Sequence, residues 1–335
     1  MDIAITVTAA PASEDLLLDT AAALQRDFGG ALEFRWLAAG EAMDLILAEE
    51  KAPSPPLSPQ GEREKAAALS TGEEGVSSVP SPPRGERQGE GGLAALKALV
   101  AEAVGERPLD WCVQQAEGRQ KRMLIADMDS TIIGQESLDE MAELKGIRAE
   151  VAALTERAMC GELPFETSLR ARTHMLRGLR ADELQQVLHE RITLNFGART
   201  LVQTMKAHGA HTVLVSGGFT LFTHAVAARA GFAKDRANVL VWEDGHLAGV
   251  AEPVLGREAK LAALHEEAAA YGIAPSEVIA VGDGANDAGM LRAAGLGVAY
   301  HAKPVAAVAA DAQVNHTDLA ALLYFQGYTR DSFVD

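Results

Sequence analysis

Cysteine, aromatic and basic side chains are all scarce in this chain of 335 residues: two Cys, 5% Phe, Trp and Tyr, and 30 Lys and Arg against 47 Asp and Glu. Two cysteines, Cys112 and Cys160, cannot staple a framework and stand at no metal-ligand spacing, which excludes a disulfide scaffold and fits a reducing compartment. A net charge of −17 repels a phosphate backbone, and no basic block offsets it, so nucleic acid is not an expected partner. No apolar run reaches the roughly 18 residues that span a bilayer, so no membrane association is expected. The first basic residue is Arg26, too late for the basic n-region of a signal peptide, and the expected location is cytoplasmic. What the chain has in quantity is apolar side chains, 48% of residues beside 23% charged, enough for two ordinary globular cores.

From Lys51 to Gly92 the composition changes sharply. Seven of the thirteen prolines fall there, among Gly, Ser, Glu and Arg, with almost no large apolar residue to bury. Ahead of it, Ile3 to Thr8 alternates as a strand, Glu14 to Phe28 has helical spacing, and Ala31 to Leu37 and Ala42 to Ala48 read as strands; behind it, Leu93 to Val104 reads as a helix and Leu109 to Gln115 as a strand. With 51–92 set aside, residues 1–117 have the order β-α-β-β-α-β, a ferredoxin-like α+β domain interrupted by a low-complexity insertion after its third strand. That order is similar to the ACT-type regulatory domains, which bind amino acids or pair subunits. The first turn, Ala9-Ala10-Pro11-Ala12, lacks the glycines such ligand sites often use, and a homodimer through this domain is one expectation.

Residues 118–335 alternate short apolar runs with helical stretches, the pattern of an α/β, doubly wound parallel sheet with crossover helices. Three runs end on polar chemistry: Met123 to Ala126 at Asp127, Thr212 to Val215 at Ser216, and Val278 to Val281 at Gly282-Asp283. In such sheets ligands bind beyond the carboxyl ends of the strands, so residues far apart in sequence converge there.

Asp127-Met128-Asp129-Ser130-Thr131 places two carboxylates where both can face one reacting centre. Ionised beside a divalent cation, Asp127 is a carboxylate nucleophile for phosphorus, while Asp129 with a raised pKa protonates the departing oxygen and later activates water. Taken alone, such a pair also serves as a turn and a helix cap. Gly282-Asp283-Gly284-Ala285-Asn286-Asp287 offers oxygen ligands on tight turns, as Mg²⁺ requires. The expected ligands are the Asp127 and Asp283 side chains and the Asp129 carbonyl, with Asp287 behind them and Asn286 near the substrate. Ser216-Gly217-Gly218 offers a hydroxyl and open backbone N–H groups as an anion cradle at the entrance to a helix. Lys260 is either a fixed positive charge for phosphoryl oxygens or a solvated surface lysine.

The joint order D-x-D-S-T, S-G-G, K, G-D-G-x-N-D resembles the haloacid dehalogenase-like phosphohydrolases from about Gly118 to the end. The resemblance implies Mg²⁺-dependent phosphoryl transfer through Asp127, with Asp129 as acid and base and Asp283 on the metal. Residues 133–195 read as helices and are expected to form a cap that excludes water and selects the leaving group. Within them, Gly134-Gln135-Glu136, the stretch from Glu156 to Phe165 and Ser168 to Arg172 are similar to the phosphoserine phosphatases of that superfamily. By that likeness Glu136 pairs with the ammonium of O-phospho-L-serine, Arg172 grips its carboxylate, and Met159 and Phe165 supply an apolar wall. Each of the four also has a plain reading, as helix charge, surface charge or core. The alternatives carried forward are a related phosphotransferase or broader phosphomonoesterase, and an amino-acid-sensing regulator with a vestigial catalytic half.

Overall fold

A computed structural model of the chain describes residues 2–11, 13–28, 32–48, 90–159, 162–256 and 258–335. The expected insertion lies outside the described residues up to position 89. Helix α2 (Glu90–Val104) begins three residues ahead of the expected Leu93. Its buried Leu96, Val100 and Val104, four residues apart, form the stripe that holds it to the sheet.

The first region runs β1 (Ile3–Ala9), α1 (Glu14–Asp27), β2 (Leu32–Ala38), β3 (Ala42–Leu47), α2 and β4 (Leu109–Gln115). Its strands are antiparallel neighbours in the order β2-β3-β1-β4. Alternation along β1 sends Ile5 and Val7 into a core with Leu17, Leu24, Leu96 and Val100. The opposite face carries Thr6 and Thr8, also buried, because α12 (Ala321–Phe325) packs across it. There Asp44 accepts from the Thr6 hydroxyl at 2.7 Å and pairs with Arg119 at 2.6 Å, so this buried charge has both a hydrogen bond and a counter-ion.

The second region is built on parallel strands β5 (Met123–Asp127), β6 (His211–Phe219), β7 (Lys234–Asn238), β10 (Val278–Gly282), β11 (Leu296–Tyr300) and β12 (Ala312–Val314), in the order β12-β11-β10-β5-β6-β7. Both faces are covered, which is why these strands read as unbroken apolar runs. Leu124 and Ala126 face α7 (Ala198–Ala207) and α8 (Thr220–Ala230). Met123 and Ile125 face α9 (Ala259–Ala270) and α10 (Ala288–Ala293). The strand order reverses between β5 and β10, so the crevice opens at their carboxyl ends.

Helices α3 (Ser137–Leu144), α4 (Arg148–Met159), α5 (Phe165–Met175) and α6 (Ala181–Glu190) occupy the stretch expected to form a cap. The chain enters and leaves them side by side, through an Ile133–Leu194 bridge and a Gly134 N–H to Thr193 carbonyl bond of 3.3 Å. A hairpin of β8 (Leu240–Glu243) and β9 (His246–Val250) leans on them through Leu247, whose N–H donates to the Leu179 carbonyl and whose carbonyl accepts from Gly178. This hairpin is absent from the sequence reading. Its signal is Asp244-Gly245, both at positive φ, the pair that a two-residue hairpin turn favours.

The two regions share one ten-stranded sheet, joined where Trp111 of β4 pairs with Gln313 of β12. Beside that joint the Asp110 carboxylate, 3% exposed, accepts from the backbone N–H groups of Asn315 (2.7 Å), His316 (3.1 Å) and Thr317 (2.8 Å) and from the Thr317 hydroxyl (2.6 Å). Asp110→Ala leaves those donors facing a void, and we expect a loss of about 3 kcal/mol in urea unfolding. A loss below about 0.5 kcal/mol would mean that the loop after β12 is held by other contacts. Among the described residues no helix is long and apolar enough to cross a membrane.

Candidate active site

Strand β5 is wholly buried, and the chain leaves it at Asp127, where the crevice first offers polar partners. The Met128 N–H turns back to Asp127 Oδ1 at 2.7 Å. Over Met128–Ile132 the backbone makes a tight loop with Asp129 extended and Ser130 at φ 55, a left-handed conformation uncommon for serine. That reversal lets Asp127 and Asp129 point into the same crevice.

Asp127, Asp283 and Asp287 gather with carboxylate oxygens within 4.8 Å of one another, all buried. The adjacency of β5 and β10 brings them together across 156 positions, the interval from 127 to 283. Gly282 is required for this approach, because a Cβ there would lie 2.4 Å from Asp287 Cγ. Lys260 is not on the surface. It is buried, with Nζ 2.6 Å from Asp127 Oδ1 and 2.5 Å from Asp287 Oδ1, while Asp287 Oδ2 accepts from Gly284 N–H at 2.9 Å. Asp287, expected behind the metal ligands, is thus a full member of the cluster with both oxygens engaged.

Burial, then repulsion from Asp287, pushes the Asp127 carboxyl well above its ordinary range, against the pull of Lys260. The same two causes raise Asp283. Burial opposes the charge of Lys260, but Asp127 and Asp287 outweigh it and hold the amine above the usual lysine value. Three carboxylates against the buried ammonium of Lys260 and the half-exposed one of Lys303 leave an excess of negative charge on hard oxygen donors. A divalent cation fits that donor set in charge and in chemistry.

The Asp129 carboxylate is turned away from this cluster. Its Oδ1 accepts the Ser137 N–H at 2.7 Å and its Oδ2 accepts the Ser216 hydroxyl at 3.1 Å. Burial, with Glu136 adding repulsion, raises it to about 6 in spite of the bonds from Ser137 and Ser216. Ser216 Oγ in turn accepts Gly218 N–H at 2.8 Å. Strand β6 continues to Phe219 and α8 starts at Thr220, so Ser216-Gly217-Gly218 lies in the last extended residues of the strand, directly ahead of the helix.

Toward α3, Ser130 Oγ donates to Glu136 Oε1 at 2.6 Å, and burial raises the Glu136 carboxyl above its ordinary value against that bond. Arg172 is 8% exposed, with its guanidinium hydrogen-bonded to Thr155 Oγ1 at 3.1 Å and the Ser168 carbonyl at 3.4 Å, neither of them charged. Burial lowers its pKa, and Asp139 and Glu136 counter it. Phe165 lies over Gly217, where a Cβ would meet the ring at 2.9 Å, and shares a narrow recess with Ser216, Lys260 and Asn286. Met159 closes α4, and its side chain lies outside the described residues.

A second, wider cavity of about 400 Å³ lies beside Asp283, lined by Ser130, Gly134, Asn195, Tyr300, His301 and Lys303. Sequence reasoning made none of these six a site residue, although Ser130 and Gly134 stand in the motifs that carry Asp129 and Glu136. Asn195, whose amide donates to the Thr131 carbonyl at 2.8 Å, sits on the edge of the predicted cap with no motif to mark it. Lys303 Nζ is 3.9 Å from Asp283 Oδ2.

Residues 124–292 match the sequence pattern of a family described as haloacid dehalogenase-like hydrolase. A phosphoserine phosphatase of Streptomyces coelicolor is 44% identical over 214 residues, which are 64% of this chain and 52% of that protein. One of Albidiferax ferrireducens is 44% identical over 208 residues, 60% of this chain and 88% of that protein. The chain therefore spans about half the length of the first relative and most of the second. Among solved structures, a HAD-family hydrolase of Salmonella enterica serovar Typhi superposes with a TM-score of 0.74 at 27% identity, covering 97% of this chain and 98% of that one.

Proposed function

Because this chain belongs to the haloacid dehalogenase-like hydrolase family, we propose that it is a phosphoserine phosphatase, which cleaves O-phospho-L-serine to L-serine and phosphate through an aspartyl-phosphate on Asp127. The observation that carries the reading is the convergence of Asp127, Lys260, Asp283 and Asp287 at the carboxyl ends of β5 and β10, with Asp129 held just outside their cluster. An acid cluster built only to bind a cation has no need of a second, separately held carboxyl.

In the proposed reaction Asp127 attacks phosphorus as the ester P–O bond breaks, and Asp129 gives its proton to the departing seryl oxygen. Water then attacks the aspartyl-phosphate, its proton returns to Asp129, and Asp127 is released as carboxylate. Lys260 and the backbone N–H groups around Ser216 and Gly217 hold the phosphoryl oxygens as charge shifts among them. The side chains of Asp127 and Asp283, with the Asp129 carbonyl, would hold Mg²⁺, with Asp287 fixing the geometry. When bound, that ion offsets the charge of the site and of the phosphate and keeps Asp127 ionised.

Substrate choice is assigned to the cap. Glu136 receives the ammonium, the buried fork of Arg172 takes the carboxylate, and Phe165 and Met159 form the wall, with Asn286 beside the phosphate. The wild-type protein is expected to release phosphate from phosphoserine with Mg²⁺ and to stop when EDTA removes the metal. Glu136→Gln is expected to lose about 2 kcal/mol, near thirtyfold, on phosphoserine kcat/KM and little on an aryl phosphate that lacks an ammonium group. Equal losses on both substrates would remove the ammonium assignment, and no release from phosphoserine would remove the proposed substrate.

We also propose that the first region, whose antiparallel strands run β2-β3-β1-β4, is a ferredoxin-like domain of ACT type through which two chains pair. The reading fits a cytoplasmic enzyme at the last step of serine formation, with a small molecule as its partner.

A further inference from the structure

We propose that Ser137, the first residue of cap helix α3, is a positioning residue for Asp129 that ties recognition of the substrate to proton transfer. The inference rests on the reading of Asp129 as the catalytic acid. Ser137 Oγ is fully buried and has no hydrogen-bond partner, although an unmet buried hydroxyl is costly and rare. It lies beside the acid. The point where a Cβ on Gly218 would sit is 3.1 Å from Ser216 Oγ, 3.2 Å from Ser137 Oγ and 3.3 Å from Asp129 Oδ2, and the Ser137 side chain, besides its N–H, helps to hold the Asp129 carboxyl down.

The chemistry explains why a free hydroxyl belongs there. Within one turnover Asp129 is first a carboxylic acid, which needs an acceptor for its O–H, and then a carboxylate, which needs donors. The Ser137 N–H only donates. The Ser216 hydroxyl is held in one orientation, because it accepts from Gly218 N–H while donating to Asp129. A rotatable hydroxyl with no other partner serves both forms, accepting from the acid and donating to the carboxylate. No extra proton is consumed: the one leaving Asp129 goes to the ester oxygen, and the one returning comes from the attacking water.

Position adds the coupling. Glu136 and Ser137 are consecutive residues at the start of α3, one assigned to the substrate's ammonium and the other bonded to the acid through its N–H. An ammonium group held by Glu136 therefore bears on the same helix end that orients Asp129, and binding energy at the substrate's remote end is expressed in kcat.

The test compares wild type, Ser137→Ala and Ser137→Thr by pre-steady-state release of the leaving group. Substrates are phosphoserine, glycerol 3-phosphate as an alkyl ester without an ammonium, and p-nitrophenyl phosphate, whose leaving group needs no acid. Ser137→Ala is expected to slow the burst about tenfold on both alkyl esters, to leave KM within about twofold, and to leave the aryl burst unchanged; Ser137→Thr restores the rate. In a double-mutant cycle on phosphoserine, Glu136→Gln and Ser137→Ala are expected to be less than additive. Unchanged alkyl bursts in Ser137→Ala, or equal slowing on aryl and alkyl esters, overturn the proposal. A wild-type protein inert toward phosphoserine but active on the other two overturns the substrate instead, and the glycerol phosphate arm still decides the role of Ser137.

Discussion

Asp127→Asn is expected to abolish turnover, by about five orders of magnitude or more, because it removes the atom that bonds to phosphorus in the proposed reaction. No phosphoenzyme should be trapped by acid quench. The fold should survive, for a physical reason visible in the site: burial and Asp287 already disfavour a charge at this position, so a neutral amide relieves repulsion while Lys260 keeps Asp287. A melting curve in the absence of metal should therefore be no lower than that of the wild type. Added Mg²⁺, which stabilises a native state that binds it, should raise the wild-type Tm more than that of the variant. Appreciable residual hydrolysis with an intact burst would refute covalent catalysis by this residue.

Asp129→Asn is expected to divide the reaction. Loss of a general acid costs about 10³ on an alkyl ester, but an aryl leaving group departs unaided, so the variant should still give a burst of p-nitrophenol and then stall as the phosphoenzyme. The wild-type pH dependence follows from the same group. Burial raises Asp129 to about 6, so the carboxyl is protonated below that pH, and its acid form declines tenfold per unit above it. The ratio of kcat/KM for phosphoserine to that for p-nitrophenyl phosphate largely cancels the ionisation of the substrate phosphate itself. That ratio should fall with rising pH above about 6 in the wild type and stay flat in Asp129→Asn. A flat wild-type ratio would move the acid to another group.

Much of this was legible before any coordinates. The apolar runs that lead to Asp127, Ser216 and Asp283 were visible because a parallel sheet covered on both faces demands them; the first polar residue marks the carboxyl end of β5 and β10, while β6 runs three residues past Ser216 to Phe219. The β8–β9 hairpin was not visible, since its strands are short, half-exposed and without clean alternation; only Asp244-Gly245 announced it. Lys260 could not be resolved from a surface lysine, because burial of a lone charge depends on partners that arrive from 133 positions before it and 27 after. Ser137 carried no motif at all.

The sequence by itself determined that three apolar runs lead to Asp127, Ser216 and Asp283, and where the composition forbids a packed core, since those follow from periodicity and residue type along a local stretch. Only the tertiary structure decided that Asp287 joins Asp127 and Asp283, that Lys260 lies between two carboxylates, and that a cap helix brings Ser137 against Asp129. Electrostatics and hydrogen bonding act over a few ångströms in space, and distance along the chain does not encode distance across a sheet whose strand order reverses between β5 and β10.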